Sequence, residues 1–146
     1  MRITQHTIAS TVVGGGVYAA TRSWEMAAGA FIMGVFIDVD HIIDYWREHP
    51  LKTDLAHFFM ICENYKLNKA LLIMHSLEFL PVMAALAYFT RSPWITGFLI
   101  GWSIHMMLDH IGNKTNGWTY FLTHRILASF DIHKVFETRS QGGRNG

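Results

Sequence analysis

Apolar residues gather in four long segments, at about Ile8–Ala20, Met26–Ile43, Ala70–Phe89 and Trp94–Leu108. The only prolines are Pro50, Pro81 and Pro93, and no strand-like alternation bounded by turn pairs appears. The pattern therefore predicts an all-α chain. Ser92-Pro93 reads as a helix start, with Ser92 as N-cap and Pro93 at the first helical position. Pro81 is expected to kink the third helix or loosen one of its turns. Residues Tyr45–Lys69 read as a loop carrying a short helix over Thr53–Ile61. After Leu108 the chain turns polar, and an amphipathic helix over Tyr120–Phe136 is expected to lie along a membrane interface. The organisation predicted is one helical domain over 1–136 and a disordered tail over 137–146.

Whether these helices cross a membrane depends on length and charge. A span needs about 20 mostly apolar residues. The third segment is long enough but holds His75 and Glu78, and the first and fourth are short unless they continue into their polar flanks. The first segment is a poor signal peptide, since no small-residue cleavage site is clear and His6 sits within it. Four crossings with both termini on one side would put Arg2, Arg47, Lys52, Lys66, Lys69, Lys114, Arg125, Lys134, Arg139 and Arg144 together. Only Arg22 and Arg91 would lie opposite. The positive-inside rule assigns the basic side to the cytoplasm. The expectation is a membrane helical bundle of about four spans plus a C-terminal amphipathic helix. It would sit in a bacterial inner membrane with both termini cytoplasmic and lipid as its neighbour. A soluble helical bundle with a structural metal is the competing reading.

Composition narrows the chemistry. Of 146 residues, 51% are apolar and 16% charged, against roughly 25% charged in ordinary soluble domains. A net charge of +1 gives no bulk attraction to nucleic acid. Cys62 is the one cysteine, which excludes an intrachain disulfide and a Cys-rich zinc site. Any metal must then use nitrogen and oxygen ligands. Nine histidines are dispersed along the chain, several inside apolar runs, where surface histidines are not expected.

Four constellations could carry chemistry. They are His6; Asp38-Val39-Asp40-His41 with Asp44; His75-Ser76 with Glu78; and His105 with Asp109 and His110. His105 and Asp109, four apart, share a helix face, and His75 with Glu78 and His41 with Asp44 do so at three apart. Asp38 and Asp40 point to different sides of an ideal helix. Either the helix unwinds there, or one of the two supports rather than binds. In the four-span topology all four groups fall near the cytoplasmic face, where ionisable groups must pair, ligate metal or line a wet cavity. Imidazole with carboxylate suits Zn²⁺, Mn²⁺ or Fe²⁺, as one ion or two. His49, His57 and His133 read as surface groups, and His124-Arg125 as an interfacial anchor that could meet an anionic substrate or lipid head group.

These motifs, in this order, resemble the family of membrane-bound metal-dependent hydrolases, which includes LexA-regulated inner-membrane proteins of the YdjM type. That family carries an N-terminal histidine, Pro-Asp-x-Asp-His, His-Arg-x-x-x-His-Ser and His-x-x-x-Asp. His6, Asp38, Asp40, His41, His75, Ser76, His105 and Asp109 match in order over about residues 1–113. Ile37 replaces the motif proline, Lys69–Leu72 stands where the upstream His-Arg would be, and Glu78 is an added carboxylate. A more distant likeness is to the zinc-dependent phospholipase C fold.

The resemblance implies metal ligands at His6, Asp38, Asp40, His41, His75, His105 and Asp109, to which the residues themselves add Glu78 beside His75, and hydrolysis of a phosphoester or ester by a metal-activated water. Glu78 and Asp38 are the candidate general bases. A non-catalytic membrane metal-binding protein using the same ligands is the alternative.

Overall fold

The computed structural model describes residues 3–50, 52–63, 66–113 and 117–136. The regular elements among them are all helical. They are α1 (Ile3–Thr21), α2 (Trp24–Phe36), α3 (Val39–Glu48), α4 (Leu55–Glu63), α5 (Phe79–Thr90), α6 (Pro93–Gly112), a 3-10 turn over Gly117–Tyr120, α7 (Leu122–Leu127) and α8 (Ile132–Val135). The chain divides into two units, Met1–Ile37 with Leu77–Asn113 and Asp38–Ser76 with Lys114–Gly146. The tail expected to be disordered, 137–146, lies outside the described residues.

The first unit contains α1, α2, α5 and α6. Small residues let two backbones meet there. A Cβ on Gly97 would strike the Met26 carbonyl, one on Gly101 the Ala30 carbonyl, and one on Gly29 would lie 2.9 Å from the Trp94 carbonyl. Gly97 and Gly101 are four apart on α6, as Ala30 and Gly34 are on α2. Such small-xxx-small spacing lets helix backbones approach closely, with Gly34 meeting Ser10 of α1. Ser92 and Pro93 start α6 as expected, with Ser92 in extended conformation at the N-cap.

The third apolar segment departs from expectation. Residues Ala70–Glu78 form turns, and helix begins only at Phe79. Pro81 therefore sits in the first turn of α5, where an N–H has no helical acceptor to lose, and no kink is needed. His75 and Glu78 consequently do not share a helix face. Trp24–Glu48 is the one stretch among the described residues long and apolar enough to cross a membrane by length and composition.

In the second unit, α3 and α4 with the C-terminal segment enclose a core of Tyr45, Phe58, Ile61, Leu67, Leu72 and Ile132. The short helix expected over Thr53–Ile61 is α4, set two residues later.

Three carboxylates one turn apart along α3 hold residues 68–74. Glu48 accepts from the backbone N–H groups of Asn68 (2.8 Å) and Lys69 (2.9 Å). Asp44 accepts from Leu71 (2.8 Å) and Leu72 (3.2 Å), and Asp40 from Met74. These N–H groups thus find side-chain acceptors in place of a helical ladder, which explains why an apolar run with helical propensity stays non-helical.

The C-terminal amphipathic helix is not continuous. It breaks between α7 and α8, where Ser129 (φ 54°) and Phe130 (φ 58°) adopt left-handed conformations. The Phe130 carbonyl accepts from the Ala70 N–H at 2.9 Å, and the Asn68 carbonyl from the Ile132 N–H at 3.1 Å. Backbone pairing with 68–70 outcompetes helix continuation there.

Candidate metal centres

Of the eight expected ligands, six fall into two groups of three. One lies within each unit. In each group every residue offers one ligand atom, and these atoms lie within 4.8 Å of one another.

The first group is His6, His105 and Asp109. His6 is in the opening turns of α1, and His105 and Asp109 are one turn apart on α6. All three are buried, at 3%, 1% and 5% exposure. The imidazoles stack with centroids 4.0 Å apart. His6 Nε2 is 3.0 Å from Asp109 Oδ1, and His105 Nε2 is 3.6 Å from Asp109 Oδ2.

The tautomer of His105 follows from a partner that can only accept. Its Nδ1 is 2.7 Å from the Gly34 carbonyl oxygen, so Nδ1–H is the donor. Gly34 lies in the last turn of α2, where carbonyls have no helical N–H to receive. With Nδ1–H so engaged, Nε2 faces the side where Asp109 lies. An imidazole lone pair close to a carboxylate is unfavourable until a proton or cation stands between them. Fixing the far ring nitrogen by a backbone carbonyl is the usual way a ligand histidine is oriented. His6 Nδ1 is buried with no hydrogen bond. A buried polar atom left without a partner costs about 1–3 kcal/mol. The donor set therefore fits a borderline divalent cation.

The second group is Asp38, His41 and His75. Asp38 stands in the break between α2 and α3, His41 in the first turn of α3, and His75 in the turns held by α3. Asp38 Oδ1 is 3.7 Å from His75 Nε2 and 4.0 Å from His41 Nε2. The two imidazoles meet edge to face at 5.1 Å. His75 is buried, whereas the side chains of His41 and Asp38 are 34% and 14% exposed. This group is open where the first is closed.

Asp40 resolves the ambiguity of the Asp38–Asp40 pair. The helix is interrupted only by a turn at Ile37–Asp38, both in right-handed helical conformation, and Asp40 Oδ2 lies 3.4 Å from His75 Nδ1 while also accepting from the Met74 N–H. A carboxylate behind a histidine favours Nδ1–H and leaves Nε2 for ligation. Glu78 belongs to neither group and stands at the N-cap of α5.

Two features escaped the sequence reading. Arg125, expected as an interfacial anchor, is 1% exposed. Its guanidinium donates to the Leu72 carbonyl at 2.6 Å, the His75 carbonyl at 3.1 Å and the Ser76 hydroxyl. Among the expected surface histidines, His133 is exposed, but His49 and His57 pack ring to ring at 5.1 Å, and His57 Nδ1 lies 2.7 Å from the Tyr45 hydroxyl.

Comparison with protein-family models, curated proteins and solved structures finds no match.

Proposed function

We propose that this chain is a membrane-embedded, metal-dependent hydrolase of a phosphoester or ester, with a lipid-linked substrate within reach of a site at the membrane face. The observation that carries the reading is the pair of His/Asp groups, each with a histidine whose far nitrogen faces a fixed acceptor. Each group would take one divalent cation, zinc by preference and manganese or iron as alternatives. A cation so held lowers the pKa of water and polarises a phosphoryl or acyl oxygen.

Burial divides the labour. The closed His6–His105–Asp109 group ties α1 to α6 and suits a structural role. The half-open Asp38–His41–His75 group suits substrate. There Asp38 Oδ1 faces both imidazoles, and its second oxygen is the candidate proton acceptor for the attacking water. Asp40 orients His75. Glu78, outside both groups, is the weaker candidate base. The closed group also favours a second reading, a non-catalytic metal-binding membrane protein.

Membrane embedding is supported by apolar exposure. In the first unit Ile8, Val12, Tyr88 and Phe89 are 66–80% exposed, and α5 has neither a charged nor a buried residue. Apolar surface on that scale suits lipid better than water. The division of Lys and Arg in the sequence, nine to two with the buried Arg125 set aside, favours a bundle of about four spans with cytoplasmic termini in a bacterial inner membrane.

The test is carbonate extraction of membranes containing the full chain, then an activity screen of purified protein on phosphoester, ester and phospholipid substrates. The protein is expected to stay with the membrane. Turnover is expected to disappear with chelator and in Asp38→Asn. Release by carbonate would remove the membrane reading. Metal binding without turnover on any substrate class would favour the non-catalytic reading.

A further inference from the structure

Residues 71–76 have no helical ladder: the His75 N–H bonds to the Leu72 carbonyl at 2.9 Å and the Ser76 hydroxyl to the Ile73 carbonyl at 2.6 Å, and further bonds come from outside the segment. The α3 carboxylates take N–H groups on one side of this segment. Arg125 takes the oxygens on the other, from Leu72, His75 and Ser76. A buried guanidinium is tolerated only where its donors are satisfied. Here the Nη1 and Nη2 donors converge on two carbonyls and a hydroxyl of the segment that carries one ligand histidine. The His75 carbonyl is held by Arg125 and its Nδ1 lies beside Asp40.

We propose that Arg125 is a positioning residue of the Asp38–His41–His75 centre. It fixes the backbone at His75 so that Nε2 keeps its place 3.7 Å from Asp38 Oδ1. The proposal rests on the reading that this group binds a cation. The planar fork of arginine addresses several oxygens at once, which a lysine ammonium reproduces only in part.

The experiment is a cobalt(II) titration of the full chain in detergent, followed by the visible absorption of the bound ion. In a His105→Ala background the Asp38–His41–His75 group is the centre that remains. There Arg125→Met is expected to weaken cobalt binding by about 10- to 100-fold, and Arg125→Lys to give an intermediate loss. In a His75→Ala background, Arg125→Met is expected to leave binding at the His6–His105–Asp109 group unchanged, which general destabilisation would not do. Unchanged affinity of Arg125→Met in the first background, with helicity retained, overturns the proposal. So does an equal loss in both backgrounds. If Arg125→Met loses helicity, Ser76→Ala removes one partner of the guanidinium. It is then expected to weaken cobalt binding in the His105→Ala background, and unchanged binding overturns the proposal. A wild-type chain that binds no cobalt overturns the cation reading itself, an outcome distinct from all of these.

Discussion

His105 Nδ1 donates to the carbonyl of Gly34 at 2.7 Å, joining α6 to the last turn of α2. The contact depends on Gly101, one turn before His105, where a Cβ would strike the Ala30 carbonyl. Helix packing and ligand orientation are thus one arrangement in this unit.

Gly101→Ala should therefore disturb both. Overpacking at such a contact is expected to cost about 1–3 kcal/mol, read as a lower unfolding midpoint in detergent, together with weaker metal binding at the His6–His105–Asp109 group. Gly15→Ala is the control. Nothing lies within 4 Å of a Cβ there, and replacing a mid-helix glycine is expected to stabilise by about 0.5–1 kcal/mol. Equal midpoints for the two variants would contradict the close packing of α2 on α6.

Asp40→Asn tests the support of His75. The amide keeps one acceptor oxygen and the size of the side chain but loses the charge behind the imidazole. Cobalt binding at the Asp38–His41–His75 group should weaken by about 10- to 100-fold, with circular dichroism unchanged. A variant that bound as tightly as the wild type would show that Asp40 does not orient the ring.

Cys62, which belongs to neither group of three, offers a pH-dependent readout. Burial, reinforced by the nearby Asp44 charge, pushes its thiol from 9.0 up to about 12. The thiolate is the nucleophile, so alkylation at pH 8 should be far slower in the folded chain than after denaturation. Because the folded pKa is the higher one, this group's contribution to stability is present below pH 9 and lost as pH rises towards 12. Equal alkylation rates for folded and unfolded protein would contradict the burial.

Much of the helical pattern was legible from local sequence. The Ser92-Pro93 start, the short α4 and the one-turn spacing of His105 and Asp109 all follow from residues a few positions apart. What failed was long-range. The stretch Asn68–Met74 leads into an apolar run, yet the N–H groups of Asn68 and Lys69 bond to Glu48, those of Leu71 and Leu72 to Asp44 and that of Met74 to Asp40, about 20 to 35 positions earlier in the chain. No periodicity reports that. Arg125 looks like a surface cation because the carbonyls that bury it belong to residues about 50 positions away. The packing of Met26 and Ala30 against Gly97 and Gly101 uses small residues four apart, a signal the apolar pattern alone does not use.

The most direct measurement is transition-metal content per chain of the purified full-length protein, by elemental mass spectrometry, beside Asp109→Ala and His75→Ala. Bound zinc, manganese or iron is expected in the wild type, with each variant losing part of it and the double variant nearly all. A metal-free wild type that takes up none of these ions at micromolar supply, or variants that retain the full complement, would contradict the assignment of the two His/Asp groups as cation sites.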